Sequence, residues 1–154
     1  MRSISPLLIA AACATASGPD YGTIAIKSGA NAAARPVTFS VGKGTISSSD
    51  MHAWVEGDCI HGSVGRTPID FCHDASDPNH WTGSSGEFFV EHLDKTSRFL
   101  QVRGHFTVEA GREYGMTQQV DLGDGPQWDE LRRNPALLAV AATAADFQAA
   151  HVRH

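Results

Sequence analysis

The sequence has few basic residues and no long apolar run in its body. Its 12 Lys and Arg are outnumbered by 17 Asp and Glu and are scattered, which argues against the basic patch of a nucleic-acid-binding protein. The longest apolar stretch, residues 136–145, is about half of the roughly 20 residues that a membrane-spanning helix needs. We therefore expect a body with no nucleic-acid partner and no membrane-spanning helix.

Motifs of common catalytic and cofactor sites are also lacking. There is no G-x-S-x-G nucleophile elbow, because Gly62-Ser63-Val64-Gly65 and Gly83-Ser84-Ser85-Gly86 have the wrong spacing. The sequence contains no P-loop, no H-E-x-x-H zinc motif and no dinucleotide-binding glycine fingerprint. This pattern predicts no cofactor and favours a non-enzymatic role.

The N-terminus has the order of a secretory signal. Arg2 is followed by an uncharged run containing Leu7-Leu8-Ile9 and then by small residues. Ala14-Thr15-Ala16 has small residues at the spacing that a general signal peptidase accepts. Cleavage after Ala16 gives a soluble periplasmic or secreted protein.

A second interpretation of the same segment involves a cysteine. Ile9-Ala10-Ala11-Ala12-Cys13 resembles the lipobox of bacterial lipoproteins, and the resemblance covers the first 13 residues. It implies a signal peptide of residues 1–12 and a Cys13 that is acylated and becomes the new N-terminus. Ala14 after that cysteine implies sorting to the outer membrane. The protein then faces the periplasm and touches the membrane only through its lipid anchor.

Cysteine parity supports a disulfide in the body. The three cysteines are an odd set, which leaves one thiol unpaired in an exported protein. Cys13 leaves that set under either interpretation of the N-terminus, by acylation or by cleavage. Cys59 and Cys72 remain as a pair in an oxidising compartment, where a disulfide persists.

Alternation of apolar and polar residues indicates β-strands throughout the body. Residues 37–41 have the period of a half-buried strand, and the strongest pattern runs over 100–108 with Gly104 at an inward position. A glycine there often marks a close backbone approach. A Gly-containing turn separates this segment from the alternating residues 112–122, which predicts a hairpin.

Other segments are less clear. The inward face of residues 51–56 is undecided, and Phe88-Phe89 leaves the register of its strand open. The polar residues 73–86 are predicted to form a loop.

The C-terminal part predicts helices. Asp124 and Gln127 have the spacing of a capping box, and helices are expected over residues 126–133 and 135–151. The second helix has an apolar stripe at helical spacing, formed by Leu137, Val140, Ala141, Ala144 and Phe147.

These elements predict a mainly β protein. We expect an antiparallel β-sandwich or a small open barrel of about seven or eight short strands with a C-terminal helix. Residues 13–35 are an anchor and tether with one weak strand, residues 36–125 the β domain, and residues 126–154 a helical segment packed on the same domain.

Metal-ligating residue types are concentrated in and near the polar loop. His61, His73, Asp74 and His80 are candidate ligands of a zinc or other transition-metal ion, or members of a His/Asp hydrolase site. Spacing argues against zinc, because structural zinc sites favour two cysteines separated by about two to four residues. A disulfide followed by a solvated loop is the simpler interpretation.

Two tryptophans give a binding hypothesis. Trp54 and Trp81 stand near polar residues, and exposed tryptophan suits recognition of sugars, peptides or proteins. His73, Asp74 and His80 accompany Trp81 as candidate ligand-binding residues, while core packing is the competing interpretation for each tryptophan. The resulting expectation is a non-enzymatic envelope lipoprotein with a binding or structural role, and the alternative is a small periplasmic hydrolase. The unknown partner is an envelope protein or a small ligand.

Overall fold

The computed structural model describes residues 20–29, 33–92, 98–108 and 112–151. The expected signal, Cys13 and both cleavage sites lie in residues 1–19, outside the described residues. The strands are β1 (Asp20–Ile26), β2 (Val37–Gly42), β3 (Thr45–Ser47), β4 (Met51–Glu56), β5 (Cys59–Val64), β6 (Thr67–His73), β7 (His80–Gly83), β8 (Gly86–His92), β9 (Phe99–Val108) and β10 (Arg112–Asp121). The helices are α1 (Pro126–Arg133) and α2 (Pro135–His151).

All these strands form one antiparallel sheet in which the spatial order equals the chain order. The sheet curls until it is nearly closed, with β1 and β10 as its two edges. The mainly β class with a C-terminal helix is therefore confirmed. Of the two predicted architectures, the structure has the small open barrel, formed by one curled sheet, and not the β-sandwich.

Within the described residues the sheet has ten strands, more than the seven or eight predicted from the sequence. One missed strand is β7, which lies inside the predicted loop and pairs with β8 through Trp81 and Phe88. A strand of only 4 residues is too short to show a period of two. The predicted loop is in fact two tight turns on either side of a strand.

The predicted hairpin is confirmed, because β9 and β10 pair from Phe99 opposite Asp121 to Val108 opposite Arg112. Gly104 of β9 lies opposite Phe88 of β8. A Cβ atom on Gly104 would stand 2.3 Å from the carbonyl oxygen of Glu87 and 2.7 Å from the Cβ of Phe88. The glycine thus permits the close approach of β8 and β9 that the sequence predicts.

The inward faces that the sequence leaves open are settled by burial. Met51 and Ala53 face the core, so His52 and Trp54 face outward. Phe88 is fully buried and forms a cluster with Phe71 and Phe106, whose ring centroids lie 5.0 and 5.8 Å from its own. Phe89 consequently points to the outside of the sheet.

Helix α1 has the predicted bounds but not the predicted cap. The N-cap is Gly125, with φ 120° and no side-chain hydrogen bond to the helix. Gln127 donates its Nε2–H to the carbonyl oxygen of Thr23 instead. The capping box of Asp124 and Gln127 is therefore wrong, because the chain needs a glycine conformation immediately before the helix.

Glu130 fastens α1 to the sheet. Its carboxylate is buried and accepts hydrogen bonds from the backbone N–H of Gly44 at 2.7 Å and from the side chains of Arg133 and Asn134, each at 2.8 Å. Three donors offset the cost of removing this charge from water.

Helix α2 has the predicted bounds but is buried on every side rather than along one stripe. Residues 136–145 are all buried, including Leu138, which lies off the predicted stripe. The reason is that the curled sheet surrounds the helix, which contacts β1, β3, β4, β5, β8, β9 and β10. Neither helix in the described part of the chain has both the length and the hydropathy required to cross a bilayer.

Candidate functional site

Strand register places three polar or aromatic side chains in one row on the outside of the sheet. Trp54 of β4 lies opposite His61 of β5, and His61 lies opposite Asp70 of β6. Successive residues of a strand alternate between the two faces, so His52 and Glu56 flank Trp54 on the same outer face. We call these five residues the Trp54 face.

Trp54 is exposed at the centre of this face. Among the side chains that the structure describes, it is the exposed large hydrophobic one, with 37% of its surface accessible. Its ring centroid lies 5.1 Å from that of His52 and 6.2 Å from that of His61, in tilted arrangements. The indole therefore lies between two imidazoles and still faces solvent. The binding hypothesis requires such an exposed tryptophan.

The ring nitrogens of His61 each contact a carboxylate next to the indole of Trp54. Its Nδ1 lies 3.2 Å from Oδ1 of Asp70, and its Nε2 lies 3.5 Å from Oε1 of Glu56. The side chains of Glu56 and Asp70 remain 73% and 52% exposed. Both carboxylates therefore keep surface that a ligand can reach.

The predicted disulfide is present next to this row. Cys59 and Cys72 are bonded, and they lie opposite each other on β5 and β6. Both residues are two positions from the pair of His61 and Asp70, on the same outer face. The bond thus fixes the register that brings His61 to Asp70, and closing a loop of this size contributes about 3 kcal/mol in the chain-entropy model.

Gly62 allows β4 to lie close to β5 at the Trp54 face. It has φ 151°, and a Cβ atom at this position would stand 1.9 Å from the carbonyl oxygen of His52. Only glycine fits there without separating the strands that carry Trp54 and His61.

A second polar cluster lies on the outside of β7, β8 and β9. His80 places Nδ1 3.0 Å from Oδ2 of Asp74 and Nε2 2.7 Å from Oε1 of Glu87. The other carboxylate oxygen of Glu87 lies 3.2 Å from Nε2 of His105. We call these four residues the His80 cluster, and the ring of Phe89 stacks on His80 at 4.3 Å.

The ionisation of the His80 cluster follows from these contacts. Hydrogen bonds from the amide and hydroxyl of Ser76, and then from His80, lower the pKa of Asp74 from 3.8 to about 2. Bonds from His80 and then His105 lower the pKa of Glu87. The bond to Asp74, assisted by Glu87 and opposed by burial, raises the pKa of His80 above 6.5.

These contacts occupy both ring nitrogens of His80. Each faces a carboxylate, and both donate only when the imidazole is protonated. In that state neither nitrogen offers a lone pair to a metal ion or to a substrate proton. The geometry therefore fits a charged clamp that closes the turn between β6 and β7.

The other candidate residues of the polar loop also serve the turn. Asp74 and Asp77 accept backbone hydrogen bonds from Ser76 and Asn79, and Nε2–H of His73 donates to the carbonyl oxygen of Pro78 at 3.0 Å. Their shared effect is a turn closed by local side-chain hydrogen bonds.

Trp81 does not join Trp54. It packs against the core, with its ring stacked on that of Phe88 at 5.6 Å and tilted against that of His73 at 4.8 Å. Its side chain therefore points to the inside of the sheet, whereas Trp54 points out. The two tryptophans do not form one cleft.

The alternative ligand set is not assembled. Within the part of the chain whose side chains the structure describes, no group of three or more His, Cys, Asp or Glu is placed to hold a metal ion. Asp74 and His80 meet, but His61 contacts a different pair of carboxylates and His73 contacts a backbone carbonyl.

A cleft of about 510 Å³ lies where the two edges of the sheet face each other, lined by residues 25–29 and 117–121. Gln118 of β10 crosses it and donates its Nε2–H to the carbonyl oxygen of Lys27 at 2.7 Å. Asp146 of α2 accepts hydrogen bonds from the hydroxyl of Ser28 and the N–H of Gly29 at 2.6 and 2.8 Å. The edges are thereby tied to each other and to the helix.

Sequence reasoning does not single out Glu56, Asp70, Glu87 or His105 as site residues. Each is an outward residue of an alternating strand, and charged or polar residues are ordinary at such positions. Alternation along β4 places Glu56 beside Trp54. The pairing register between strands is what shows that Asp70, Glu87 and His105 lie beside His61 or His80.

Comparisons with known proteins find no match, whether with family models, with curated proteins or with solved structures. The function must therefore be argued from the geometry of the site itself.

Proposed function

We propose that this chain is a non-enzymatic binding protein of the bacterial envelope that contacts a partner through the Trp54 face. The carrying observation is the exposed indole of Trp54 between His52 and His61. Tryptophan is enriched among the residues that dominate binding energy at protein interfaces, where polar groups surround it. Here the surrounding groups are two imidazoles and two carboxylates.

The architecture favours a surface site over an internal one. The space that the sheet encloses is filled by α2, whose residues 136–145 are buried against the strands. The Trp54 face lies on the outer surface of the sheet, on the side away from α2, and spans three consecutively paired strands. A broad β surface of this kind suits a macromolecular partner better than a small enclosed ligand.

The envelope location is part of the proposal. The Cys59–Cys72 disulfide is expected of an oxidising compartment, and the N-terminal residues resemble a lipoprotein signal. We propose anchoring through acylated Cys13 at the outer membrane. Mass spectrometry of the purified membrane fraction tests this: a lipid-modified N-terminus at Cys13 is expected, and an unmodified N-terminus at Ser17 contradicts the anchor.

Site-specific photo-crosslinking in the native envelope tests the binding role. A photoreactive residue is introduced at position 52, which is exposed beside Trp54, and at Thr38, an exposed outward position of β2. We expect a discrete adduct from position 52 that disappears when Trp54→Ala is added. No adduct at position 52, or one that is insensitive to Trp54→Ala and equal to that from position 38, contradicts the proposal.

The hydrolase alternative has less support from geometry. A general base needs a free lone pair, and both nitrogens of His80 face carboxylates. We therefore assign the His80 cluster a structural role.

A further inference from the structure

The charges around Trp54 indicate what it binds. Resting on the binding role proposed above, we propose that the Trp54 face receives a cationic side chain, Arg or Lys, from a basic segment of a partner polypeptide. The indole supplies the ring surface, and Glu56 and Asp70 supply the opposite charge.

The ring of Trp54 itself favours a cationic ligand. An Arg or Lys placed over an aromatic face is attracted by the negative potential of the ring, and tryptophan is the strongest of the three aromatic side chains in this respect. Trp54 lies on the outer wall with 37% of its surface accessible, so a side chain from another molecule can reach it.

Carboxylates are the predominant charged groups around Trp54. Glu56 is two residues from Trp54 on the same strand face, about 7 Å away along the strand. Asp70 ends the row that begins at Trp54, and Asp58 is exposed in the turn between β4 and β5. Two basic residues border this region: exposed Lys43 lies in the turn between β2 and β3, and Arg66 lies in the turn at the other end of β5. Glu56, Asp58 and Asp70 outnumber them. The face therefore complements a cation and repels an anion.

The outer surface of the same sheet already holds one cation between a ring and a carboxylate. The guanidinium of Arg103 lies 4.5 Å from the ring centroid of Phe89 while its Nη2 is 3.3 Å from Oε1 of Glu91. An aromatic ring and a carboxylate on neighbouring outward positions thus hold a guanidinium within this molecule. The Trp54 face repeats the ring and the carboxylates, and the partner supplies the cation.

The net charge of the chain supports the same partner class. A formal charge of -5 attracts basic proteins at long range and raises their rate of encounter, more strongly at low ionic strength.

Calorimetric titration of the folded, disulfide-bonded protein with two blocked peptides tests the proposal. One peptide alternates Arg with Gly, and the other alternates Glu with Gly. We expect the Arg peptide to bind with an affinity that falls as salt rises, and the Glu peptide not to bind.

Substitutions within the Trp54 face test whether the Arg peptide binds there. We expect Trp54→Ala to weaken the Arg peptide by about tenfold or more, and Trp54→Phe to retain part of the affinity. Glu56→Gln combined with Asp70→Asn should weaken binding and flatten its salt dependence. The matched control is Asp124→Asn, which removes an exposed carboxylate outside the face and should leave binding unchanged.

Equal binding of the two peptides overturns the inference, and so does equal binding of the Arg peptide by all variants. If the Arg peptide does not bind while position 52 still gives a Trp54-dependent adduct, the cationic ligand is ruled out and the binding role stands. If the Arg peptide does not bind and the adduct is absent, the binding role itself is ruled out.

Discussion

Cys59 and Cys72 lie opposite each other on β5 and β6, and their bond sits beside the pair formed by His61 and Asp70. The disulfide is therefore on the outer wall, next to the residues that we propose bind a partner. It holds β5 and β6, two of the three strands of the Trp54 face, in one register, so fold stability and site geometry depend on the same bond.

The double variant Cys59→Ser and Cys72→Ser should lose about 3 kcal/mol of unfolding free energy, because the unfolded chain regains the freedom of the closed loop. Urea denaturation monitored by circular dichroism measures this. A reducing agent should destabilise the native protein by a similar amount and leave the variant unchanged. Equal midpoints for the oxidised native protein and the variant contradict the assigned role.

The His80 cluster predicts a pH dependence of stability. Protonated His80 is favoured in the folded state, so its contribution is complete below about pH 6.5 and is lost as pH rises through the raised pKa. Asp74 and Glu87 have lowered pKa values, so their contributions are present above 3.8 and 4.5 and are lost as pH falls, for Asp74 towards about 2.

Calorimetric Tm values of the native protein and His80→Gln test this from about pH 5 to about pH 9. The native Tm should decline above about pH 6.5 more steeply than that of the variant, because glutamine does not titrate. If Tm depends on pH in the same way in the two proteins, ionisation of the His80 cluster is not coupled to folding.

Gly104→Ala should destabilise the sheet by about 1–3 kcal/mol, because the new methyl group meets the backbone of β8. Its nearest neighbours are the carbonyl oxygen of Glu87 and the Cα of Phe88, at 2.3 and 2.6 Å. Gly29→Ala is the matched control, since its Cβ meets only the flexible side chain of Gln118, at 3.3 Å. Chemical denaturation that ranks the two variants equally, or in reverse order, argues against this close approach.

Leu138→Ala distinguishes a surrounded helix from one packed on a single face. Leu137 and Leu138 are both fully buried, although only Leu137 belongs to the predicted stripe. Each substitution should lower the unfolding free energy by about 2–5 kcal/mol. If Leu138→Ala is nearly neutral in urea while Leu137→Ala is not, α2 has an exposed side.

The sequence predicts local features of this fold well. The β9–β10 hairpin follows from alternation and the disulfide from cysteine parity. Both helices also have the predicted bounds, although the predicted capping box of α1 is not formed. Each of these signals is contained in a short stretch of chain, so tertiary structure changes it little.

Features that depend on distant strands are not predictable in this way. The burial of Leu138 depends on a sheet that closes around α2, and an apolar stripe does not reveal closure. The Trp54 face depends on pairing across three strands, which places Asp70 beside a residue 9 positions earlier in the chain. Alternation marks Asp70 as outward but does not say which residue it meets.

Binding of a cationic ligand at the Trp54 face is tested most directly by locating the residues that a basic peptide contacts. Nuclear magnetic resonance of the ¹⁵N-labelled chain, titrated with the Arg–Gly peptide, locates that contact residue by residue. We expect saturable shifts in the indole N–H of Trp54 and in the amides of His61 and Asp70, with the edge cleft around Gln118 unchanged. Shifts centred on Gln118 and residues 25–29, with none at Trp54, would contradict the central claim.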